Sequence, residues 1–346
     1  MSATSGPPYA PTTAAVGGVP TVGLDVPICA VFILLFIGGA VSHMTLFRRN
    51  MARDHKFIPS AVTFGFCMSR IIANAMRIAW ACQPHSVSLG IAATIFVNAA
   101  IVLLFILNLI YAQRMLRAAH PHIGWAKPVS LFFKFVYMLV VVNIIMLITA
   151  IVQSFYTLNG NTRRIDRDIE LYGTTCVAAI AFLPLPIVSF VLLFPRRIER
   201  IDKFGKGSWR AKAFIVGIGA VLLCLGASFR AATNWMPPRP LDDPAWYDSK
   251  ACFYVFNFTI EIIVVYSYLL VRMDQRFHVP NGSSRRRHYR GPGPESDDST
   301  TVQYLESGED RVSATHPPSR DSESTQVPEK QESEKQISEK QASEQS

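Results

Sequence analysis

The first 25 residues contain neither Lys nor Arg. A cleavable secretory signal needs a basic n-region, so the first apolar run is expected to remain in the chain as a membrane helix. The six cysteines, Cys29, Cys67, Cys82, Cys176, Cys224 and Cys252, form no CxxC pair. That spacing argues against a zinc or dithiol redox motif. HExxH, GxSxG and the phosphate-binding P-loop pattern are absent, and no two Asp residues share an apolar run. Metalloprotease, serine hydrolase and direct ATP-driven pumping are therefore not expected. Residues 251–271 hold no Lys, which removes the Schiff-base anchor that a retinal photoreceptor needs. The reading is of a non-enzyme without cofactor or metal.

What the chain does have is segregation. Half of its 346 residues are apolar and its net charge is +9. The apolar residues gather in runs of about 20, enough to span a hydrocarbon core of roughly 30 Å. The charges gather between the runs, a placement that fits anionic lipid and not nucleic acid. The expected fold class is an all-α integral membrane protein, a seven-transmembrane-helix bundle with a disordered C-terminal tail. Residues 1–25, rich in Pro, Gly, Thr and Ala, read as a flexible N-terminus. The seven-helix domain is expected over 26–272, with helices at 26–46, 61–82, 88–112, 129–151, 172–194, 213–232 and 251–271. Pro184 and Pro186 should kink the fifth, and Gly38 and Gly39 allow close packing of the first. Residues 273–346 read as a polar tail, opening on Arg285, Arg286, Arg287 and Arg290 and ending in EKQES, EKQIS, EKQAS. A five-residue period fits neither a helix nor a coiled coil.

Orientation follows from loop charge. The loops after helices 1, 3 and 5 hold fourteen Lys or Arg, against five in the loops after helices 4 and 6, and none in the N-terminus or after helix 2. Positive loops stay cytosolic, so the N-terminus is expected outside and the C-terminus inside. The expected location is an integral, multi-pass position, with the plasma membrane preferred.

Ionisable residues inside a bilayer are costly and mark function or pairing. Arg70, Asn74 and Arg77 share one face of helix 2 at i, i+4, i+7. Tyr254, Asn257, Glu261 and Tyr268 form a second stripe on helix 7. Arg70 and Glu261 each lie about ten residues from the helix ends, near mid-bilayer, and are expected to pair. Arg77 and Arg230 lie nearer the outer face with no acidic partner in a helix. Two such cations suit an anionic ligand, a carboxylate or a lipid phosphate; snorkelling to the interface is the alternative. Lys134, Asn98, Asn108, Asn143 and His43 read as structural. Cys82 and Cys252 both fall at outer helix ends, and a disulfide between them is one pairing the oxidising side permits. Asn257 opens an unused sequon inside helix 7, and Asn281 opens one on the cytosolic side. Arg196, Arg197, Arg200, Lys203, Lys206 and Arg210 form a basic third cytosolic loop. It suits an acidic signalling partner or anionic lipid equally.

Three stretches carry a resemblance: MSRIIANAMRIAWACQP, NLIYAQRMLRAAHPHIGW and ACFYVFNFTIEIIVVYSYLLVRMDQRFHVPNGSS. They resemble a family of fungal seven-transmembrane proteins of unknown function, some labelled receptor-like, which implies a filamentous ascomycete source and no established activity. A more distant likeness is to the RTA-like lipid-translocating exporters. Those tend to carry an acidic residue shortly after the helix 6 Arg, where this chain has Ala-Ala-Thr-Asn-Trp. Three functional readings follow: a receptor-like sensor of an outer ligand, a lipid or small-solute translocator, and a membrane scaffold acting through its tail.

Overall fold

A computed structural model of the chain describes residues 6–194 and 204–279. Among these residues there is no strand, only an isolated bridge between Thr13 and Pro240. Long helices account for nearly all of the rest: α1 (Val22–Met51), α2 (Ile58–Cys82), α3 (Val87–Ala119), α4 (Lys127–Tyr156), α5 (Gly160–Leu193), α6 (Trp209–Trp235) and α7 (Lys250–Leu270). Six of them, all but α2, are long and apolar enough to cross a membrane. α2 has the length, 25 residues, but Arg70, Asn74 and Arg77 lower its hydropathy. Those three side chains are buried, so α2 hides its polar stripe inside the bundle.

The outward faces fit lipid. On α4, Leu131, Phe135, Met138, Val142 and Ile145 are at least half exposed. They recur every three or four residues as one stripe. An apolar stripe of that extent belongs in hydrocarbon and not in water. The packed seam lies elsewhere: α1 against α2, α2 against α3, α4 against α5, α5 against α6, with α7 touching α1 and α6. Gly39 is part of that seam, because a Cβ there would stand 3.2 Å from Val265 and 3.3 Å from Cys67.

The helices run past the expected boundaries at most ends, and α5 shows the largest difference. It begins at Gly160 and not near residue 172. Asn159 caps it, its side chain accepting from the Asn161 amide at 2.9 Å, so the charged run 163–170 is helical and not loop. Two helices are interrupted. α3 breaks at Ile101. α5 breaks at Leu183, before Pro184, which cannot continue the hydrogen-bond ladder. α7 holds a π-turn at Val255–Thr259.

Residues 6–21 are not the free tail expected from composition. They lie across the end of the bundle where α1 begins. The Tyr9 amide donates to the Phe155 carbonyl, Ala14 to Arg239 and Gly17 to Asp248, each at 2.8 Å. Low apolar content misleads here because backbone hydrogen bonds hold this segment, together with the packing of Val16 and Pro20.

At the opposite end, Arg272 in the left-handed region (φ 53°) stops α7. A short helix, Met273–Arg276, then folds back. Asp274 accepts from Asn50 at 3.1 Å and Arg272 at 3.2 Å, and Arg114 donates to the Phe277 carbonyl at 2.5 Å. Gly205 closes over this turn with φ 56°; a Cβ there would stand 2.3 Å from the Arg276 carbonyl. Residues 273–279 therefore belong to the helical unit and not to the tail. The rest of the expected tail, 280–346, with Arg285, Arg286, Arg287 and the Asn281 sequon, lies outside the described residues.

His55 and His278 stack in this end, ring centroids 4.3 Å apart. Burial, then the neighbouring His55 and Arg114, holds the His278 imidazole below the usual histidine range. A depressed folded-state pKa favours the neutral form. The contribution is therefore complete above the unfolded pKa of about 6.5 and is lost as pH falls through the folded value. Acidification to about pH 5 is expected to loosen residues 275–277, read as faster amide exchange beyond the intrinsic pH effect. His278→Gln is expected to abolish that pH dependence.

Candidate functional site

Two ionic clusters sit between α2 and α7, one at mid-helix and one at the end where α1 begins. The helix periodicity sets them up. Arg70 and Arg77 are seven residues apart on α2, so that helix presents both on one face, while Tyr254 and Glu261 flank the π-turn of α7 and both bond to α2. Antiparallel packing brings Arg70 to Glu261 and Arg77 to Tyr254.

In the inner cluster Arg70 Nη2 donates to Glu261 Oε1 at 2.5 Å, and Arg230 Nη2 donates to the same oxygen at 3.0 Å. The Arg70 and Glu261 side chains are fully buried, and Arg230 is 14% exposed. Arg70 also donates to the Val97 carbonyl at 2.8 Å and the Phe96 carbonyl at 3.3 Å, just before the break in α3. Its guanidinium lies 5.2 Å from the Phe66 ring centroid and 5.5 Å from that of Phe258. The cluster thus holds two cations and one carboxylate. Glu261 Oε2, Arg70 Nε and Arg230 Nε have no hydrogen-bond partner among the described residues.

In the second cluster Asp25, fully buried, collects donors. Its Oδ1 accepts from Tyr254 at 2.7 Å and from Arg77 at 2.9 and 3.1 Å. Its Oδ2 accepts from Lys250 at 2.5 Å and from the Thr21 amide at 2.7 Å. Arg77 also donates to the Gly17 carbonyl at 2.8 Å and stacks 4.0 Å above Phe253. Cys29 Sγ lies 3.3 Å from the Tyr254 hydroxyl. The N-terminal segment is thereby pinned to α2 and α7.

The π-turn lies between the clusters. Within it the Ile260 amide donates to the Val255 carbonyl, five residues back, and the Thr259 hydroxyl donates to the Tyr254 carbonyl at 3.2 Å. Such turns recur at functional positions because a helix can shift register there. Phe256 stacks on Phe229 of α6 at 3.9 Å, so the turn also contacts the helix that carries Arg230.

Arg70 and Glu261 meet as their depth implied. The expected pair of free outer cations is corrected: Arg77 pairs with Asp25, and Arg230 shares Glu261 with Arg70. Asp25 belongs to α1 and not to the tail, because the helix begins four residues before the expected Val26. It is the only acidic residue among the first 53, and that isolation was the available signal. Arg230 lies deeper than expected because α6 continues to Trp235. Asn74 and Asn257 donate to the carbonyls of Arg70 and Phe253 four residues back, both at 2.9 Å. Each donor amide is thus used within its own helix. Tyr268 donates to Asn108 at 3.2 Å.

The Cys82 to Cys252 disulfide is also corrected, since both are free. Cys252 Sγ faces the Trp246 carbonyl at 3.9 Å, under the turn Trp246–Asp248. Of the basic loop, Arg196, Arg197, Arg200 and Lys203 lie outside the described residues. Arg210 and Lys206 are exposed, and the Lys206 amide donates to the Gln275 carbonyl at 2.8 Å. Lys212 is buried and donates to the Phe204 carbonyl.

Among the described residues no group of three His, Cys, Asp or Glu is placed to hold a metal. The cavity nearest the N-terminal segment lies beside the second cluster and not over it. Residues 13–16 form one wall, α5 and the end of α6 the others.

Comparison with known proteins is narrow. Residues 204–278 match a family described as a protein of unknown function (DUF3112). The matched region spans α6, α7 and the fold-back after it, and so includes Arg230, Tyr254 and Glu261. No curated protein and no solved structure matches the chain.

Proposed function

We propose that this chain is a receptor-like sensor, non-catalytic, in which an event at the N-terminal segment is passed along α2 and α7 to the mid-membrane cluster. One observation carries the reading. The segment's Gly17 carbonyl is bonded to Arg77, and the helices that hold that contact also hold Arg70 and Glu261, with a π-turn between. A ligand that engages residues 13–17 acts on Arg77, then on Tyr254, then on the register of α7. α2 serves as a seventh crossing, its charge masked inside the bundle. On the positive-loop rule the N-terminus lies outside and the C-terminus in the cytosol, and the plasma membrane is the location that a sensor of an outer ligand favours. The resemblance to fungal seven-transmembrane proteins labelled receptor-like agrees with this reading. The basic stretch 196–210 and the Ser-rich tail supply cytosolic contacts for a partner.

The test is proximity labelling in living cells with the enzyme fused after Ser346, comparing wild type with Lys250→Gln. Lys250 is 24% exposed and bonds Asp25, so its loss weakens the second cluster without emptying it. Signalling proteins in the wild-type set, changed in proportion by the variant, are the expected result. Identical sets made only of lipid-handling proteins defeat it.

The second reading is a lipid or small-solute translocator. It is favoured by the uncompensated cation in the inner cluster and by the unpartnered Glu261 Oε2, as in an ion or proton relay. Movement of a fluorescent phospholipid across liposomes holding the wild-type chain, above protein-free liposomes, supports it. A scaffold acting through residues 280–346 alone is expected to tolerate changes in both clusters.

A further inference from the structure

The cavity beside the N-terminal segment has room of about 150 Å³. That is well below the roughly 300–1,000 Å³ of pockets for drug-sized molecules, and it limits the occupant to a small solute. Its walls carry both signs of charge. Arg167 and Glu170 face it from α5, Asp248 from the turn before α7, and Arg239 from the chain after α6.

These groups are unequally engaged. Arg167 uses one nitrogen, Nη2, on the Met236 carbonyl at 3.0 Å and the Asn234 carbonyl at 3.4 Å. This fixes the guanidinium at the cavity edge and leaves donors over. Arg239 pairs with exposed Asp243 at 3.3 Å, a contact that water screens. The Glu170 side chain makes no hydrogen bond or ion pair among the described residues. One helical turn earlier Asp166 is 2% exposed and its Oδ2 has no partner. Arg167 acts on Glu170 only at longer range, and Asp166, which does not line the cavity, adds negative potential beside it, so the Glu170 carboxylate lines the cavity without a bonded cation. The donors left over on Arg167 supply the complementary place for an anion.

We infer that this cavity binds a small zwitterion the size of a free amino acid, its ammonium group at Glu170 and its carboxylate at Arg167. The inference deepens the receptor reading and rests on it for its consequence: the ligand lies against residues 13–16, and the next residue, Gly17, is bonded to Arg77. Occupancy thereby orders the segment that pins the second cluster.

The test uses the full chain in nanodiscs, titrated calorimetrically with free L-amino acids. n-Butylamine and butyrate serve as probes carrying one charge each. Saturable binding of at least one amino acid is expected, at least tenfold tighter than either single-charge probe. Glu170→Gln and Arg167→Gln should each weaken it by tenfold or more, with a melting curve taken on the same sample to show that the variant is folded. Ala15→Phe is the second variant. It lies outside the helices and fills the cavity from the segment side, so it should abolish binding without altering the bundle. No heat with any amino acid at about 10 mM overturns the inference. So does equal binding of butylamine, or binding that survives Ala15→Phe. Binding is read on purified protein and partner change in cells. A ligand that binds without altering the labelled set keeps the site and removes the receptor reading.

Discussion

Glu261→Gln is expected to lower the stability of the bundle by roughly 3–5 kcal/mol and to strip most of the protein from the membrane fraction. Gln retains the shape but not the charge. Arg70 and Arg230 then stand as two cations sharing a buried site with no counter-charge. Removing one partner of a buried pair is far more damaging than replacing the whole set, because the remaining charge stays desolvated. The comparison that isolates this cause is the triple variant Arg70→Met, Arg230→Met, Glu261→Leu. It removes the carboxylate too, yet is expected to lie within about 2 kcal/mol of wild type. Unfolding by denaturant titration in bilayers supplies both numbers. A triple variant as unstable as Glu261→Gln places the damage in lost packing and not in charge.

The exchanged pair, Glu261→Arg with Arg70→Glu, is a weaker rescue than two-body pairing implies. Arg70 also donates to the Phe96 and Val97 carbonyls beside the break in α3. A carboxylate at that position cannot donate, and Arg230 is left facing a new arginine. Recovery is therefore expected to be partial. Full recovery shows that the carbonyl contacts and Arg230 contribute little.

The helices were legible because a bilayer imposes one length and one polarity on each crossing. Arg70 and Glu261 were legible for the same reason: depth along antiparallel helices fixes which charges share a layer. The failures cluster where that rule stops applying. Residues 163–170 are charged and helical, since α5 continues past its apolar part, and hydropathy sees only that part. The capping Asn159 was the local signal for the longer helix. Residues 6–21 are held by backbone hydrogen bonds to Phe155, Arg239 and Asp248, which leave no side-chain pattern. Asp25 fell at the join between those two regimes, so its role as the counter-ion of Arg77 was missed. The π-turn at Val255–Thr259 has no composition of its own, because its residues are ordinary for a membrane helix. The cluster of Arg70, Arg230 and Glu261 was half legible, because hydropathy does not show that α6 continues to Trp235, three residues past the expected end, and so sets Arg230 too near the outer face.

Asp25→Ala is expected to cost about 3 kcal/mol and to release the N-terminal segment. The substitution removes the acceptor of Tyr254, Arg77, Lys250 and the Thr21 amide together. Lys250 still reaches Thr21 Oγ1 at 2.8 Å and has solvent access, so its loss is minor. Arg77, whose side chain is 4% exposed, keeps only the Gly17 carbonyl and the Tyr254 hydroxyl, and bears most of the penalty. Hydrogen exchange separates this from a general loosening: the Gly17 and Ala14 amides should lose protection first, with the α4 core unchanged. Arg77→Met on top of Asp25→Ala should recover most of the stability, though not the protection at Gly17, because the methionine cannot donate to its carbonyl. The two clusters also supply a test of the link between them. Sites that do not share structure add within about 0.5 kcal/mol. Asp25→Ala combined with the milder Arg230→Lys is expected to depart from additivity by about 1 kcal/mol or more, since α7 and its π-turn join them. Strict additivity means that the π-turn insulates the mid-membrane cluster from the segment, and the route from Gly17 to Glu261 is then broken.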